Sequence, residues 1–304
     1  MQNGQELMVS MRVLDAVGNT PVFRLSDGWT DSGVQIYVKA EYQNPGGSVK
    51  DRAAKAMILD GIRRGVLTKD KTIIDATSGN TGIAYAMIGA ALGYRVRLTM
   101  PANVTAERKK IMKAYGARIV ETDPLEGIDG AYEICQSMAA GDPKHYWNPD
   151  QYCNAENWLA HYSGTAVELL SQVPDMTHFV SGTGTSGTFM GCVKRFREHG
   201  GIRCFNMTPD SPFHGIEGIK HREFLLKNGF FDESVSDGQI TVTTDEAYET
   251  ARRLAVTEGL FCGISSGANV AAAVRLAAEL PKGSVIVTIL CDRGYRYLSG
   301  KVWE

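Results

Sequence analysis

The chain has 304 residues, of which 43% are hydrophobic and 22% charged, as expected of a globular protein with a substantial core. Its formal net charge of −2 gives no general attraction to nucleic acid or to an anionic membrane, so we expect neither as a partner. No stretch approaches the ~20 apolar residues of a membrane-spanning helix, and residues 1–15 lack the pattern of a secretory signal.

The cysteines and histidines indicate a reducing compartment and no bound metal. None of the six cysteines forms a CxxC pair, and a chain of this length does not need disulfide bonds to fold. The six histidines show no HExxH and no other paired spacing. We therefore expect a cytoplasmic protein without a metal site.

Short β-branched runs alternate with longer helical patterns along the chain. Strands are predicted at residues 34–41, 71–77, 94–100, 117–122, 177–182, 202–208 and 284–291. Helices are predicted at 48–65, 82–93, about 105–115, directly after the strand at 177–182, and at 264–280. This alternation predicts an α/β fold whose mostly parallel sheets are covered by helices on both faces. We expect two sub-domains, with the passage between them at residues 144–158 and a ligand cleft between them.

A lysine at a helix start is the first candidate for chemistry. Lys50 follows a Pro-Gly-Gly turn in "YQNPGGSVKDRAA" (42–54) and lies in the first turn of a predicted helix. The helix dipole repels a cation there, which together with partial burial lowers the lysine pKa and makes the amine a better nucleophile. The alternative is a solvated lysine paired with Asp51.

The next strand-to-helix loop, "ATSGNTGIA" (76–84), is rich in polar side chains. Thr77, Ser78, Asn80 and Thr81 supply side-chain donors, and the helix start supplies backbone amides. The loop therefore suits a carboxylate or another small anion. An ordinary N-cap cluster that binds nothing explains the same residues equally well.

A third loop, "VSGTGTSGTFMGCVKRF" (180–196), combines glycines with hydroxyls before a helix. Glycines let the backbone approach a ligand closely, and the helix start favours an anion. The pattern predicts a site for a compact phosphate dianion. The hydroxyls are on Thr183, Thr185, Ser186 and Thr188, and the glycines are Gly182, Gly184 and Gly187.

Two other interpretations of this third loop are open. It can be a glycine-rich turn that binds nothing. It also matches the GxGxxG fingerprint of nicotinamide dehydrogenases, with Asp210 as the ribose-binding acid. The fingerprint usually lies in the first βαβ unit, however, and four hydroxyls in the loop favour a terminal phosphate over a pyrophosphate.

An activated lysine, a carboxylate receptor and a phosphate loop together indicate pyridoxal phosphate and an amino-acid substrate. The lysine forms a Schiff base with the aldehyde of this cofactor, and the pyridine ring withdraws electrons. No single motif predicts this combination as strongly as the three together.

The chain resembles the cysteine synthase and cystathionine β-synthase family of fold-type II pyridoxal-phosphate enzymes. The motifs that carry the resemblance are "VGNTPVFRL" (17–25), "NPGGSVKDRAA" (44–54), "TSGNTG" (77–82), "DQYCNAENWLAHYSGTAVEL" (150–169), "GTGTSGT" (182–188), "GISSGA" (263–268) and "DRGYRYLSG" (292–300). The segment "CDRGYRYLSG" is more similar to B-type than to A-type cysteine synthases.

Carried over position by position, the resemblance implies a set of roles. Lys50 would bind the cofactor as an internal aldimine and later act as the base, and Asn80 would lie beside the ring oxygen. Ser265 would meet the pyridine nitrogen and leave it largely neutral, which favours β-elimination over transamination. The phosphate would be held by Gly182, Thr183, Gly184, Thr185, Ser186, Gly187 and Thr188. The substrate carboxylate would be held by Thr77, Ser78, Gly79, Asn80, Thr81 and Gln151.

The implied reaction is a β-replacement on an O-activated L-serine. The β-substituent leaves, and the resulting α-aminoacrylate takes up sulfide to give L-cysteine. The family also implies a tryptophan-synthase-β-like homodimer with three-layer sub-domains. Residues 41–151 would form a smaller, mobile substrate-binding sub-domain, and residues 1–40 with 152–304 a larger one that binds the cofactor phosphate.

The basic turn at residues 220–222 affects which substrate we predict. Lys220, His221 and Arg222 lie roughly where B-type and phosphoserine-using relatives place cations near the pocket. We hypothesise that Lys220 or Arg222 admits a more anionic substrate, such as O-phosphoserine or thiosulfate; a solvated basic turn is the alternative. Cystathionine β-synthase activity with homocysteine is the nearest competing function, and a nicotinamide dehydrogenase is a remote one.

Overall fold

The computed structural model describes residues 12–77, 79–225 and 230–304. The strands are β1 Val22–Arg24, β2 Gln35–Ala40, β3 Thr72–Ala76, β4 Arg95–Pro101, β5 Arg118–Thr122, β6 Tyr146–Trp147, β7 His178–Gly182, β8 Arg203–Pro209, β9 Gly238–Val242 and β10 Val285–Leu290. The α-helices are α1 Lys50–Arg63, α2 Asn80–Leu92, α3 Ala106–Ala114, α4 Gly127–Gly141, α5 Glu156–Ala160, α6 Ala166–Gln172, α7 Gly187–His199, α8 Arg222–Leu225, α9 Thr244–Glu258 and α10 Ile264–Ala277. A π-helical turn, His161–Thr165, joins α5 to α6.

The strands form two sheets. The larger has the order β1-β2-β10-β7-β8-β9 and the smaller the order β5-β4-β3-β6. All neighbouring strands are parallel except β1 and β2. The predicted α/β fold with mostly parallel sheets is therefore confirmed. The smaller sheet draws its strands from residues 72–147, and the larger combines 22–40 with 178–290.

Helices cover both faces of the larger sheet, as its central strand requires. Every residue of β10 is buried, so its alternate side chains need apolar partners on both sides. Ile286 and Leu290 pack with residues of α9 and α10. Val287 and Ile289 point to the opposite face and pack with residues of α6 and α7. The larger lobe is thus a three-layer α/β structure.

The smaller sheet has the same arrangement. Ile73 and Leu98 pack with residues of α1, α2 and α3 on one face. Ile74 and Ala76 pack with residues of α4 on the other face. Within the described ranges, no helix is long and apolar enough to cross a bilayer.

The helix starts position the candidate site. In parallel sheets the carboxyl ends of the strands lie at one edge, where each chain segment turns into the next helix. Helices α1, α2, α7 and α10 begin at Lys50, Asn80, Gly187 and Ile264. The first residues of these helices lie around a common cleft, which draws Lys50 and Asn80 from one lobe and Gly187 and Ser265 from the other.

Candidate active site

Two adjoining cavities meet at Lys50. The first is lined by every residue except Thr183 of the segment 182–188, which we call the glycine loop. The second is lined by Thr77, Asn80 and Thr81 of the segment 77–82, which we call the threonine loop. Lys50 and Asn80 line both the glycine-loop cavity and the threonine-loop cavity. The lysine therefore faces both predicted anion sites at once.

Main-chain contacts hold Lys50 at the first position of α1. The Val49 N–H donates to the carbonyl of Cys291 at 2.9 Å, and Ser48 forms a β-bridge with Asp292. Burial lowers the pKa of Lys50, while the nearby Cys291 and Asp292 act in the opposite direction. The structure thus provides the lowered pKa that a nucleophilic amine needs.

Lys50 does not pair with Asp51. The Asp51 carboxylate is buried and accepts a hydrogen bond from the Gly46 N–H at 2.5 Å. Gly47 has φ +83°, and a Cβ atom there would lie 2.8 Å from Nη2 of Arg296. The Pro-Gly-Gly turn therefore needs glycine at this position to bring Lys50 into the cavities.

The glycine-loop cavity brings together most of the predicted cofactor residues. Thr183 does not line it; its hydroxyl donates to Oδ1 of Asn206 at 3.2 Å, and its carbonyl accepts from the Lys220 N–H at 2.8 Å. The predicted residues that do line it are Lys50, Asn80, Gly182, Gly184, Thr185, Ser186, Gly187, Thr188 and Ser265.

The glycine loop fits a phosphate group. A Cβ atom on Gly184 would lie 2.2 Å from the carbonyl oxygen of Gly218, so only glycine allows this close packing. Ser186 adopts φ +71° directly before α7, and its buried Oγ has no hydrogen-bond partner among the described residues. An unpartnered hydroxyl beside a helix start is a donor set that suits an anion.

The other end of the glycine-loop cavity is formed by the start of α10. Ser265 is buried there beside Cys291, whose thiol contacts the serine hydroxyl. Burial raises the pKa of Cys291 to about 12, so this thiol is uncharged at neutral pH. The groups at this end are therefore a neutral hydroxyl and a neutral thiol.

The threonine loop presents hydroxyls to the second cavity. The Thr77 hydroxyl oxygen accepts from the N–H groups of Gly79 and Gly82, both at 3.1 Å, which leaves its proton for a ligand. Thr81 donates to Oε1 of Gln151 at 2.8 Å, and Gln151 donates to the carbonyl of Ala76 at 2.9 Å. Thr77, Asn80, Thr81 and Gln151 all line the cavity, whereas Ser78 lies outside the described residues.

The side-chain amide of Asn80 is held by residues for which the sequence predicts no role. Its Nδ2 donates to Oδ2 of Asp292 at 2.7 Å, and its Oδ1 accepts from the buried guanidinium of Arg296. Tyr297 donates to the same carboxylate oxygen at 2.6 Å. These residues belong to the quoted motif at 292–300, but 212 positions separate Asp292 from Asn80, so only the fold shows the contact.

A second unpredicted group is an ion pair at the edge of the threonine-loop cavity. Arg108 of α3 contacts Glu217, which lies in the segment between β8 and α8. Arg108 also lies over the ring of Tyr297, 4.8 Å from its centroid. Arg108 and Glu217 both line the cavity, yet no motif or spacing marks either of them in the sequence.

The two predicted cations of the basic turn lie in different places. Lys220 lines the threonine-loop cavity, with Nζ 4.5 Å from the ring centroid of Tyr152, and burial lowers its pKa. Arg222 instead pairs with Glu233 at 2.7 Å, with about half of its side chain exposed. It is absent from the lining of both cavities.

Comparison with known proteins agrees with this arrangement. Residues 13–292 match the family model described as pyridoxal-phosphate dependent enzyme. The chain is 48% identical to cysteine synthase of Aquifex aeolicus (94% of this chain, 90% of the relative). It is 42% identical to cysteine synthase B of Salmonella typhimurium, over 94% of each chain. The crystal structure of cysteine synthase from Entamoeba histolytica superposes with a TM-score of 0.90 at 33% identity, covering 100% of this chain and 93% of the other.

Proposed function

This chain belongs to the family of pyridoxal-phosphate dependent enzymes, and we infer that it acts as a cysteine synthase. It forms L-cysteine from O-acetyl-L-serine and sulfide. The observation that carries this conclusion is that Lys50 lines both the glycine-loop cavity and the threonine-loop cavity. The dehydrogenase interpretation is not favoured, because the family match extends over residues 13–292.

The residues around the glycine loop suit pyridoxal phosphate. The backbone and hydroxyls of residues 182–188 would hold the phosphate, with Ser186 Oγ as a buried donor that is otherwise unpartnered among the described residues. Ser265 would meet the pyridine nitrogen, and Asn80, oriented by Asp292 and Arg296, would lie beside the ring. When bound, pyridoxal phosphate withdraws electrons and acidifies the α-proton of an amino acid.

Lys50 would carry the cofactor and then move the α-proton of the substrate. Its lowered pKa increases the fraction of uncharged amine, which is the form that can attack a carbonyl or accept a proton at Nζ. Its main-chain anchoring between Ser48 and Cys291 keeps the amine at the boundary of the two cavities.

The threonine loop would hold the substrate carboxylate. The Thr77 hydroxyl oxygen accepts from two backbone amides, so its proton is available to a ligand, and the start of α2 adds backbone donors. We assign this role to Thr77, Ser78, Gly79, Asn80, Thr81 and Gln151. Residues 41–151 would move as a smaller sub-domain that closes over the substrate and excludes water.

Lys220 is the better supported of the two cations proposed to contact an anionic substrate. It lines the threonine-loop cavity, whereas Arg222 pairs with Glu233 elsewhere. With Lys220 in this position, the enzyme would use O-phosphoserine or thiosulfate in addition to O-acetylserine and sulfide.

An absorption and turnover experiment tests the function. With added pyridoxal phosphate the protein should absorb near ~410 nm and convert O-acetylserine and sulfide to cysteine. Lys50→Ala should lose the band, and its rate of cysteine formation should be at least about 1,000-fold lower than that of the wild type. Lys55→Ala is the matched control, because Lys55 lies on the same helix and donates to the Leu14 carbonyl outside both cavities.

Two outcomes would contradict the function. A protein that shows no such band with added cofactor would not be a pyridoxal-phosphate enzyme. A protein that shows the band but uses homocysteine much faster than sulfide would instead be a cystathionine β-synthase.

The proposal also includes an oligomeric state and a cellular compartment. We expect a homodimer, as the family implies, which sedimentation equilibrium would test. We also expect a cytoplasmic location, since the six cysteines are free thiols.

A further inference from the structure

Glu217 lies at the junction of the two cavities. It lines both of them, and it belongs to a segment that packs against the glycine loop. The Lys220 N–H donates to the Thr183 carbonyl at 2.8 Å, and the Gly218 carbonyl occupies the space beside Gly184. The segment therefore fixes the position of the Glu217 carboxylate relative to the cofactor site.

The partner of Glu217 comes from the opposite side of the cleft. Arg108 is on α3, which packs on the smaller sheet, and only 4% of it is exposed, whereas 43% of the Glu217 side chain is exposed. The ion pair consequently joins the two lobes at the threonine-loop cavity. It brings one negative charge close to a buried positive charge in the lining of this cavity.

This arrangement has an electrostatic consequence for substrate charge. Charges near a partly buried site interact more strongly than in bulk water, because the effective dielectric constant is lower. The cavity is lined by the cations of Arg108 and Lys220, and Glu217 offsets part of their attraction for an anion. The negative charge of Glu217 hardly affects the binding of an uncharged β-substituent, but it repels a dianionic one.

We propose that Glu217 is a specificity-determining residue that selects L-serine derivatives with an uncharged β-substituent over those with a phosphate. This rests on the proposed cysteine synthase function and deepens it. Lys220 and Glu217 then act in opposite directions on the same substrate group. Their balance sets the relative use of O-acetylserine and O-phosphoserine.

The test is the kcat/KM for O-phosphoserine divided by that for O-acetylserine, with sulfide as the donor in both assays. Glu217→Gln should raise this ratio about tenfold, mostly through a lower KM for O-phosphoserine. Glu217→Asp keeps the charge and should stay near the wild-type ratio. The increase should shrink at high salt, since added ions screen exposed charges.

Glu233→Gln is the matched control. It removes the same charge from a second ion pair, that of Arg222 with Glu233, which lies outside both cavities. Its ratio should equal that of the wild type. A purely structural role for Glu217 would lower turnover of both substrates alike and leave the ratio unchanged, which would overturn the proposal.

A binding measurement separates this proposal from the proposed function. Calorimetric titration of the cofactor-loaded protein uses 2-amino-4-phosphonobutyrate, an analogue of O-phosphoserine in which a methylene replaces the ester oxygen, so that the phosphonate cannot leave and no turnover occurs. Tighter binding to Glu217→Gln than to the wild type supports the role of Glu217, and equal binding overturns it. Failure of the wild type to make cysteine from O-acetylserine would contradict the cysteine synthase function without changing that result.

Discussion

The glycine loop and the threonine loop have the same outline but different surroundings. Each has a threonine (Thr183 or Thr77) directly after a parallel strand and leads into a helix whose start faces the cleft. At Gly184 the glycine loop packs on other backbone, since the Gly218 carbonyl lies beside this residue. The threonine loop packs on a long side chain, because a Cβ on Gly79 would lie 2.6 Å from Cδ of Arg108.

This difference matches the two ligands that we propose. A cofactor that stays bound through every turnover needs a fixed receptor, and backbone contacts are hard to displace. A substrate that must enter and leave needs a receptor that can open, and contacts with long side chains permit such movement. We therefore expect the two anion sites to differ in how easily they open, despite their similar local sequence.

The largest effect should come from filling the space beside the glycine loop. Gly184→Ala would place a methyl group 2.2 Å from the Gly218 carbonyl, so the backbone must shift. We expect pyridoxal phosphate to bind about 100-fold more weakly, as measured by titration of the band near ~410 nm. Gly141→Ala, at the end of α4 with open space around it, is the control and should bind the cofactor normally.

A smaller effect, confined to the substrate, is expected in the threonine loop. Thr77→Val removes the proposed donor to the carboxylate and the acceptor for two backbone amides. The KM for O-acetylserine should rise about 30-fold while the cofactor spectrum stays intact. Thr257→Val, which removes an exposed hydroxyl on α9, is the control. Loss of cofactor in Thr77→Val would contradict the division of roles between the loops.

The basic turn should give a still smaller change. Lys220→Ala should lower the use of O-phosphoserine relative to O-acetylserine about fivefold, because a partly exposed cation contributes modestly. Arg222→Ala should leave this ratio unchanged, since its charge is paired with Glu233 outside the cavities. Equal ratios in the wild type and Lys220→Ala, in steady-state kinetics, would refute the role of Lys220.

The prediction for Asp75, which lies behind the threonine loop, concerns the free energy of unfolding and not turnover. Asp75 lies two residues before Thr77 of the threonine loop. The corresponding residue of the glycine loop, two positions before Thr183, is the serine Ser181. Burial raises the pKa of Asp75 from 3.8 to about 7, so the folded protein holds its proton more tightly than the unfolded chain. This contribution makes the free energy of unfolding fall as pH rises from about 4 to 7, by at most about 4 kcal/mol.

Urea unfolding across that pH range would measure the effect of Asp75. Asp75→Asn should flatten this part of the pH dependence, since an amide cannot titrate. Asp31→Asn, at an exposed position, should leave the profile unchanged. A wild-type profile identical to that of Asp75→Asn would show that Asp75 keeps its ordinary pKa.

Local sequence patterns alone predict the alternation of strands and helices and the three helix starts. These features depend on neighbouring residues: apolar periodicity, glycine and proline at turns, and hydroxyls before a helix. The predicted strands at 34–41, 71–77 and 284–291 are present as β2, β3 and β10, with ends shifted by one residue. The resemblance to the family also came from local motifs.

Weaker local patterns were missed. The two-residue β6 and the antiparallel edge strand β1 are too short for a periodic pattern. Helix α9 has no counterpart among the predicted helices either, although Thr243 and Glu246 form a capping box that marks its start. The segment after residue 155 forms α5, a π-turn and α6, a change of helical type that no periodicity indicates.

The packing of the two lobes brings together in the cleft groups that are distant in the chain. Arg296 orients Asn80 across 216 positions, and Arg108 meets Glu217 across 109. It also determines that Lys220 faces the cavity while Arg222, two residues later, pairs on the surface. The physical reason is that side-chain type and spacing set the local backbone, whereas the partner of a charge depends on how the two lobes pack.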